Sequence, residues 1–474
     1  MRSSDGVVQG SRRRDIQGLR AIAVIMVVAF HAGLPVPGGF VGVDVFFVIS
    51  GFVITAMLHR EWARTGRIRF GQFYLKRFKR LTPALALMVG VTLMISTVLF
   101  SPFGHQTYAA ATGVGALLLS ANFVISKTTG GYFGPTAENN PLLNTWSLSV
   151  EEQFYLLFPA LIALGWYLAQ RRGWLRFSPV VIVGAVAIIS FALTLASANA
   201  VTFPFSDWIL GFYSPFTRAW EFAVGALLAM ALTKQTTRRL PTAAAITGLV
   251  MLIASLWLIS GSTTFPGPWT LLPVIGTLLL IYAGTYHNAV SNALSVKPMV
   301  LVGDWSYSIY LWHWPFIVFA IYLWPFSPSA AIAAALISLA PALASYYWVE
   351  QPLRNFNSPT RGKVISLVAI VMIPPIAFAA LMAVAAKYYW QPQYLSGEKA
   401  ALVSGDIFPE GNPWLYLQDS HYPCDGVAEL YPNPFDDGSD RNRLCGQTKP
   451  NTPVDIAILG DSHAAHLFSG LAKA

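Results

Sequence analysis

The chain has 474 residues, of which 55% are hydrophobic and only 11% charged, and its mean hydropathy is +0.53. Soluble domains carry about 25% charged residues, so this composition excludes a soluble globular protein and predicts an α-helical polytopic membrane protein. The net charge of +9 reads as basic cytoplasmic loops facing anionic lipid rather than as a nucleic-acid footprint, and the lipid bilayer is the expected partner.

Apolar segments long enough to span fall at about 19–36, 40–58, 81–101, 108–126, 150–169, 179–198, 216–232, 242–260, 269–286, 299–324, 330–349 and 364–386. Arg12, Arg13 and Arg14 precede the first, and no small-residue cleavage site follows it. It therefore reads as a retained helix, with the N-terminus cytoplasmic. If all twelve segments cross, Arg171, Arg172 and Arg176 and every later basic loop land outside. If 108–126 does not cross, all of these loops land inside. The positive-inside rule prefers the second count. It predicts about eleven transmembrane helices, with 108–126 as a re-entrant or half-buried helix and an extracytoplasmic C-terminus.

The stretch from Arg20 to Gly51 is two apolar segments joined by a short Pro/Gly turn, with Arg20 at the entry, His31 deep in the first segment and Asp44 in the second. Ionisable residues inside a membrane helix are costly and mark candidate sites. Arg20 and His31 are eleven positions apart, so they point to nearly the same face about 16 Å apart along the axis. A ligand serving both has to be long, with an anionic end at Arg20 and a reactive end at His31, where the imidazole is a candidate general base. The alternative has Arg20 snorkelling to headgroups and His31 bonding another helix.

Further along, Arg77 and Arg80 form an R-x-x-R on one helix face, suited to a polyphosphate or to an ordinary positive-inside flank. In 146–155, Glu151 and Glu152 open the 150–169 helix on its predicted outer side, with Ser147 or Ser149 as a possible cap. Trp146 and Tyr155 fit an interfacial aromatic belt or a sugar-stacking surface. In 303–315, Ser306, Tyr310 and His313 share a face, as a site or as hydrogen-bonded packing. Glu350 and Arg354 read as an i,i+4 ion pair. No H-E-x-x-H, C-x-x-C or phosphate-cradling glycine loop occurs, and no metal site is expected.

From 387 onward Pro, Asn, Asp and Gly rise and the apolar runs stop. Both cysteines, Cys424 and Cys445, lie in this stretch. In an exported segment they most simply form a disulfide, two unpaired thiols being the alternative. Residues 454–459 read as a buried strand, followed by a Gly460-Asp461-Ser462-His463 turn and an Ala/Leu-rich helix. A serine at such a turn sits at a helix N-terminus, where N–H groups stabilise an anion.

In order and spacing, several of these stretches resemble the membrane-bound acyltransferase family 3 over about residues 12–355. They are Arg20 with His31, the D-V-F-F-V-I-S-G-F run at 44–52, Arg77 with Arg80, W-S-L-S-V-E-E-Q at 146–153, S-Y-S-I-Y-L-W-H-W-P at 306–315 and V-E-Q-P-L-R at 349–354. The tail resembles the beginning of an SGNH-hydrolase-like domain, with Ser462 matching its nucleophile. No downstream oxyanion-hole residues or D-x-x-H follow within the 474 residues, so the sequence is read as a piece of a longer protein.

The resemblance implies an acyltransferase-3-like membrane domain at 1–355, an extra transmembrane helix and linker at 356–390, an extracytoplasmic extension at 391–453, and the first strand and nucleophile turn of an α/β SGNH-like domain at 454–474. It implies transfer of an acyl group, acetyl above all, from cytoplasmic acyl-CoA to a hydroxyl of an extracytoplasmic glycan such as lipopolysaccharide O-antigen or exopolysaccharide, in a bacterial inner membrane. Arg20, Arg77 and Arg80 would bind the donor's phosphates, and no permanent cofactor is expected. His31 with Glu151 and Glu152 would be catalytic, and Asp44, Trp146, Tyr310 and His313 are further polar candidates. The alternative is a multi-pass transporter or flippase. That reading needs inverted-repeat halves with broken helices in corresponding places, and no such repetition is visible.

Overall fold

The computed structural model describes residues 13–386 apart from 101–104, 129–136, 138, 172–176, 233–240 and 357–360, together with Tyr388, 422–423 and 446–447. Cys424, Cys445 and Ser462 lie outside the described residues, as do residues 454–474. Contacts divide the chain into two units, Met1–Ala386 and Lys387–Ala474.

The principal helices of the first unit are α1 (Arg14–His31), α2 (Gly42–Thr65), α3 (Phe70–Leu99), α4 (His105–Leu117), α5 (Ala121–Thr128), α6 (Thr145–Arg171), α7 (Ser178–Ala198), α8 (Pro215–Ala231), α9 (Pro241–Leu258), α10 (Leu271–Ala283), α11 (Lys297–Leu323), α12 (Pro328–Asn355) and α13 (Arg361–Ala385). Helices satisfy every backbone polar group within the segment, which is what a bilayer demands. Six of them (α2, α3, α6, α7, α12 and α13) are long and apolar enough to cross a membrane by length and composition. Helices α1, α8 and α11 fall outside that set, and they carry Arg20, Arg218 with Glu221, and Asp304 with His313. The polar interior described below draws on these three and also on α2, α3, α6 and α12, which pass the test.

The 108–126 segment is two short helices, α4 and α5, broken at Leu119, whose φ is +59°. Neither piece, 13 and 8 residues long, is long enough to cross a core about 30 Å thick. Helix α12 contains a π-helical turn at Tyr346–Glu350, a local device that re-aims side chains. Helix α13 packs on α3 and α4. In the second unit, Tyr422–Pro423 (β1) pairs antiparallel with Gly446–Gln447 (β2).

The interior is organised by two close helix pairs, α1 with α11 and α2 with α8. The second rests on reciprocal glycines. A Cβ on Gly51 would run into the carbonyl oxygen of Phe222, and one on Gly225 into that of Val48. Small residues let membrane helices approach backbone to backbone. Gly51→Val is expected to destabilise the detergent-solubilised protein by at least the ~1–3 kcal/mol typical of overpacking, read as a lowered melting temperature. A wild-type melt would show that the two backbones can part freely.

Candidate active site

A cavity of about 630 Å³ lies among the described residues. Arg20 of α1, Arg77 and Arg80 of α3, Glu151 of α6 and Tyr310 of α11 all line it, so five of the expected site residues meet at one place. Helix α3 delivers its two arginines at i,i+3 from one face, and α1 delivers Arg20 from a helix otherwise buried against α11.

Arg77 and Arg80 are held differently. Arg77 donates from Nη2 to Glu152 Oε1 at 2.7 Å and from Nε to the same oxygen at 3.2 Å. Its guanidinium lies 3.5 Å from the centroid of the Tyr155 ring. Glu151 Oε1 accepts from Ser50 Oγ at 2.6 Å and from Tyr155 Oη at 2.7 Å. Arg80 is not paired in this way. Its Nε is buried with no hydrogen-bond partner among the described residues, and its charged surroundings are Arg20, Arg77 and Arg354 against Glu350. A buried donor among surplus positive charge is suited to an anionic, multi-oxygen group.

Beyond the far end of the cavity stands a histidine pair. His31, the last residue of α1, and His313 of α11 share an Nδ1···Nε2 hydrogen bond of 2.8 Å with their rings nearly parallel. His313 Nδ1 lies 3.2 Å from the carbonyl oxygen of Ile309. A carbonyl only accepts, so Nδ1 of His313 carries its proton. In the neutral pair, Nε2 of His313 is then the acceptor and His31 Nδ1 the donor. Nε2 of His31 is thereby the basic nitrogen of the ring, the tautomer a general base needs.

His31 and His313 do not line the cavity. Tyr310 comes between them: it lines the cavity, its ring is 6.3 Å from that of Phe46 and 5.5 Å from that of His313, and its hydroxyl bonds Ser147 Oγ at 2.6 Å. Cavity and histidines are thus separated by one aromatic layer.

Asp44 and Trp146 belong to a different cluster. Asp44 Oδ1 pairs with Arg218 Nη2 at 3.0 Å, and Arg218 Nη1 pairs with Glu221 Oε1 at 3.3 Å. All three residues are 0% exposed. The Arg218 guanidinium is ringed by Phe47, Trp146, Phe212 and Phe265, with centroids 5.3–5.9 Å away. Sequence reading missed Arg218 and Glu221, because 216–232 passed as an apolar span. The signal was present as an R-x-x-E inside a membrane helix, costly unless both groups find partners.

Four expectations are corrected. Glu151 and Glu152 do not stand apart from the arginines on an outer face. Their helix begins at Thr145, so they lie about two turns inside it, where Glu152 meets Arg77. For the same reason Ser147 and Ser149 are not caps: Ser147 bonds Tyr310 and Ser149 accepts from the Ala121 amide. Trp146 and Tyr155 are not an interfacial belt, being buried at 1% and 2% exposure against Phe47, Phe212 and Tyr213 and under Arg77 respectively. Glu350 makes no ion pair within 4 Å with Arg354 among the described residues. The π turn directs it to Ser308 Oγ at 3.2 Å, and of the charged groups around it Arg80 acts on it most strongly.

Long apolar helices enclosing an arginine-rich cavity, with a hydrogen-bonded histidine pair one aromatic layer beyond it, define a multi-pass membrane protein with polar chemistry in its interior. The chain belongs to acyltransferase family 3, whose acyltransferase domain matches residues 13–350. It is similar to the O-acetyltransferase OatA of Staphylococcus aureus, 32% identical over 355 residues, covering 72% of this chain and 57% of that protein. It is also similar to the putative peptidoglycan O-acetyltransferase YrhL of Bacillus subtilis, 29% identical with 72% and 54% covered. A third relative is the peptidoglycan O-acetyltransferase OatA of Listeria monocytogenes, 29% identical with 72% and 55% covered. The chain spans a little over half the length of these curated relatives. No solved structure matches it.

Proposed function

We propose that this chain is the membrane part of an O-acetyltransferase that takes an acyl group from cytoplasmic acyl-CoA and delivers it to a hydroxyl of an envelope glycan across the membrane. The observation that carries the reading is the cavity itself, surplus-positive around Arg80 and ending one aromatic layer from His31. Coenzyme A has the matching form, with phosphates at one end and a thioester at the end of a long arm. Arg20 and Arg80 hold the phosphates, and Arg77, braced by Glu152, sets the wall of the site. Glu151 acts through Tyr155 and Ser50 rather than on the acceptor.

The thioester end passes Phe46 and Tyr310 to reach the histidines. His31 Nε2 takes the proton of the acceptor hydroxyl as its oxygen attacks the thioester carbonyl. The C–S bond then breaks, and the thiolate recovers the proton from His31. In this reading α4 and α5 form a re-entrant element, the other long segments give eleven crossings of a bacterial inner membrane, and the C-terminal tail is extracytoplasmic. In a two-step variant of this route the Ser462 hydroxyl accepts the acyl group first and then passes it to the glycan hydroxyl, recovering its proton as the ester forms on the glycan. The names of the relatives favour peptidoglycan as acceptor over the lipopolysaccharide or exopolysaccharide expected from the motifs.

The test is mass spectrometry of peptidoglycan and surface polysaccharide from cells carrying no copy, the wild-type gene, or His31→Ala or Ser462→Ala variants. Wild type is expected to add an acetyl mass that His31→Ala loses. Loss with Ser462→Ala as well supports a two-carrier route. If no glycan changes mass between empty and wild-type cells, the proposal fails.

A further inference from the structure

The cavity carries a second group of cations that the three interior arginines do not account for. Arg60, Arg64, Arg69 and Lys76 also line it, and all four are exposed. None makes an ion pair within 4 Å among the described residues. Arg60 and Arg64 lie one turn apart on α2, while Arg69 immediately precedes α3 and Lys76 lies two turns into it.

The turn between these helices is built. Gly66 takes φ +65° and closes α2 by donating to the Trp62 carbonyl. Glu61 Oε1 accepts the Arg69 amide at 3.0 Å, and Thr65 Oγ1 donates to the Arg67 carbonyl at 2.7 Å. Glu61, the carboxylate that lines this end, is therefore engaged with backbone. Along α3, Arg69 and Arg80 are eleven positions apart, about 16 Å on the axis. The cavity thus has an exposed positive centre at its mouth around Arg60, Arg64 and Arg69 and a part-buried one in its throat around Arg20 and Arg80, with Lys76 one turn from Arg80 leading from the first towards the second.

We propose that Arg60, Arg64, Arg69 and Lys76 form a second anion subsite at the mouth, which binds a phosphomonoester separate from the pyrophosphate held in the throat. Given the acyl-CoA reading above, on which this rests, that group is the 3′-phosphate of the donor's ribose. The subsite makes the site selective for CoA thioesters over donors that lack this phosphate. Bilayer headgroups carry the same phosphate chemistry, so the experiment has to separate the two sources.

The test is isothermal titration calorimetry of the full 474-residue chain in phosphatidylcholine nanodiscs, with CoA and with 3′-dephospho-CoA. Wild type is expected to bind CoA at least about tenfold tighter, the scale of one or two charge-assisted hydrogen bonds. The Arg60→Gln/Arg64→Gln variant should bind CoA no better than 3′-dephospho-CoA, with the latter affinity unchanged. Equal wild-type binding of the two ligands, or equal weakening of both by the double variant, overturns the mouth subsite and leaves the CoA reading standing. Binding of neither ligand overturns the CoA reading and this inference together. Loss of the CoA preference in discs containing phosphatidylglycerol would assign the four cations to lipid headgroups instead.

Discussion

Removing the histidine pair's hydrogen bond is expected to cost nearly as much activity as removing the base. His31→Ala should lower acetyl transfer by about 10²–10⁴-fold, the usual contribution of a positioned general base. His313→Leu should fall within about tenfold of that loss, because the wrong tautomer of His31 presents a proton where a lone pair is needed. His313→Gln is the informative companion. Its amide oxygen can accept from His31 Nδ1 in place of Nε2, now 2.8 Å away, and should restore a substantial part of the rate. All three variants should leave the affinity for acetyl-CoA near wild type, since neither histidine lines the cavity. The measurement is steady-state transfer to a soluble glycan acceptor by purified protein, with kcat and KM separated. A His313→Leu enzyme with wild-type kcat would remove His313 from the mechanism, and a Gln variant as poor as Leu would make its role one of packing.

The largest effect on stability is expected at Arg218. It pairs with two carboxylates, Asp44 at 3.0 Å and Glu221 at 3.3 Å, and all three residues are fully buried. Arg218→Met leaves both acids without a counter-charge, and breaking a buried pair in this way costs about 3–5 kcal/mol. Glu221→Gln has the opposite logic. It converts two acids on one guanidinium into a one-to-one pair with Asp44, and is expected to change stability by less than about 1 kcal/mol. Thermal melts of the detergent-solubilised proteins, followed by size-exclusion chromatography, should separate the two variants clearly. If Arg218→Met melts with wild type, the triad is not a keystone of the α2–α8 contact. The aromatic rings around Arg218 would then be sufficient on their own.

The helices were legible in the sequence because a bilayer fixes the length of an apolar run: each of the twelve segments falls on described helix, 108–126 on two short ones, and six of the helices are long and apolar enough to cross a membrane. The break within 108–126 was legible only as a conflict of loop charge, and its physical form, a left-handed Leu119, has no signature in an apolar stretch. The site was legible as residue types but not as partnerships. Arg20, Arg77, Arg80 and Glu151 could be named because charge in a membrane helix is conspicuous. That Glu152 braces Arg77, or that His313 fixes the ring of His31, depends on helix rotation and crossing, which periodicity along one helix does not determine. Arg218 was overlooked for a simpler reason: averaging over a window conceals two charges in a 17-residue segment that is otherwise almost wholly apolar.

The layer formed by Phe46 and Tyr310 has a consequence for the cell's energy supply. A shaft open from the arginine-lined mouth to the far side of His31 would conduct protons and small ions, and would discharge the gradient that the membrane maintains. With Phe46 and Tyr310 where they stand, the cavity stops short of both histidines. On the proposed acyl-CoA route, these rings have to admit an acyl-bearing arm while leaving no continuous thread of water around it, so the width of the acyl group itself would bear on which chains can cross.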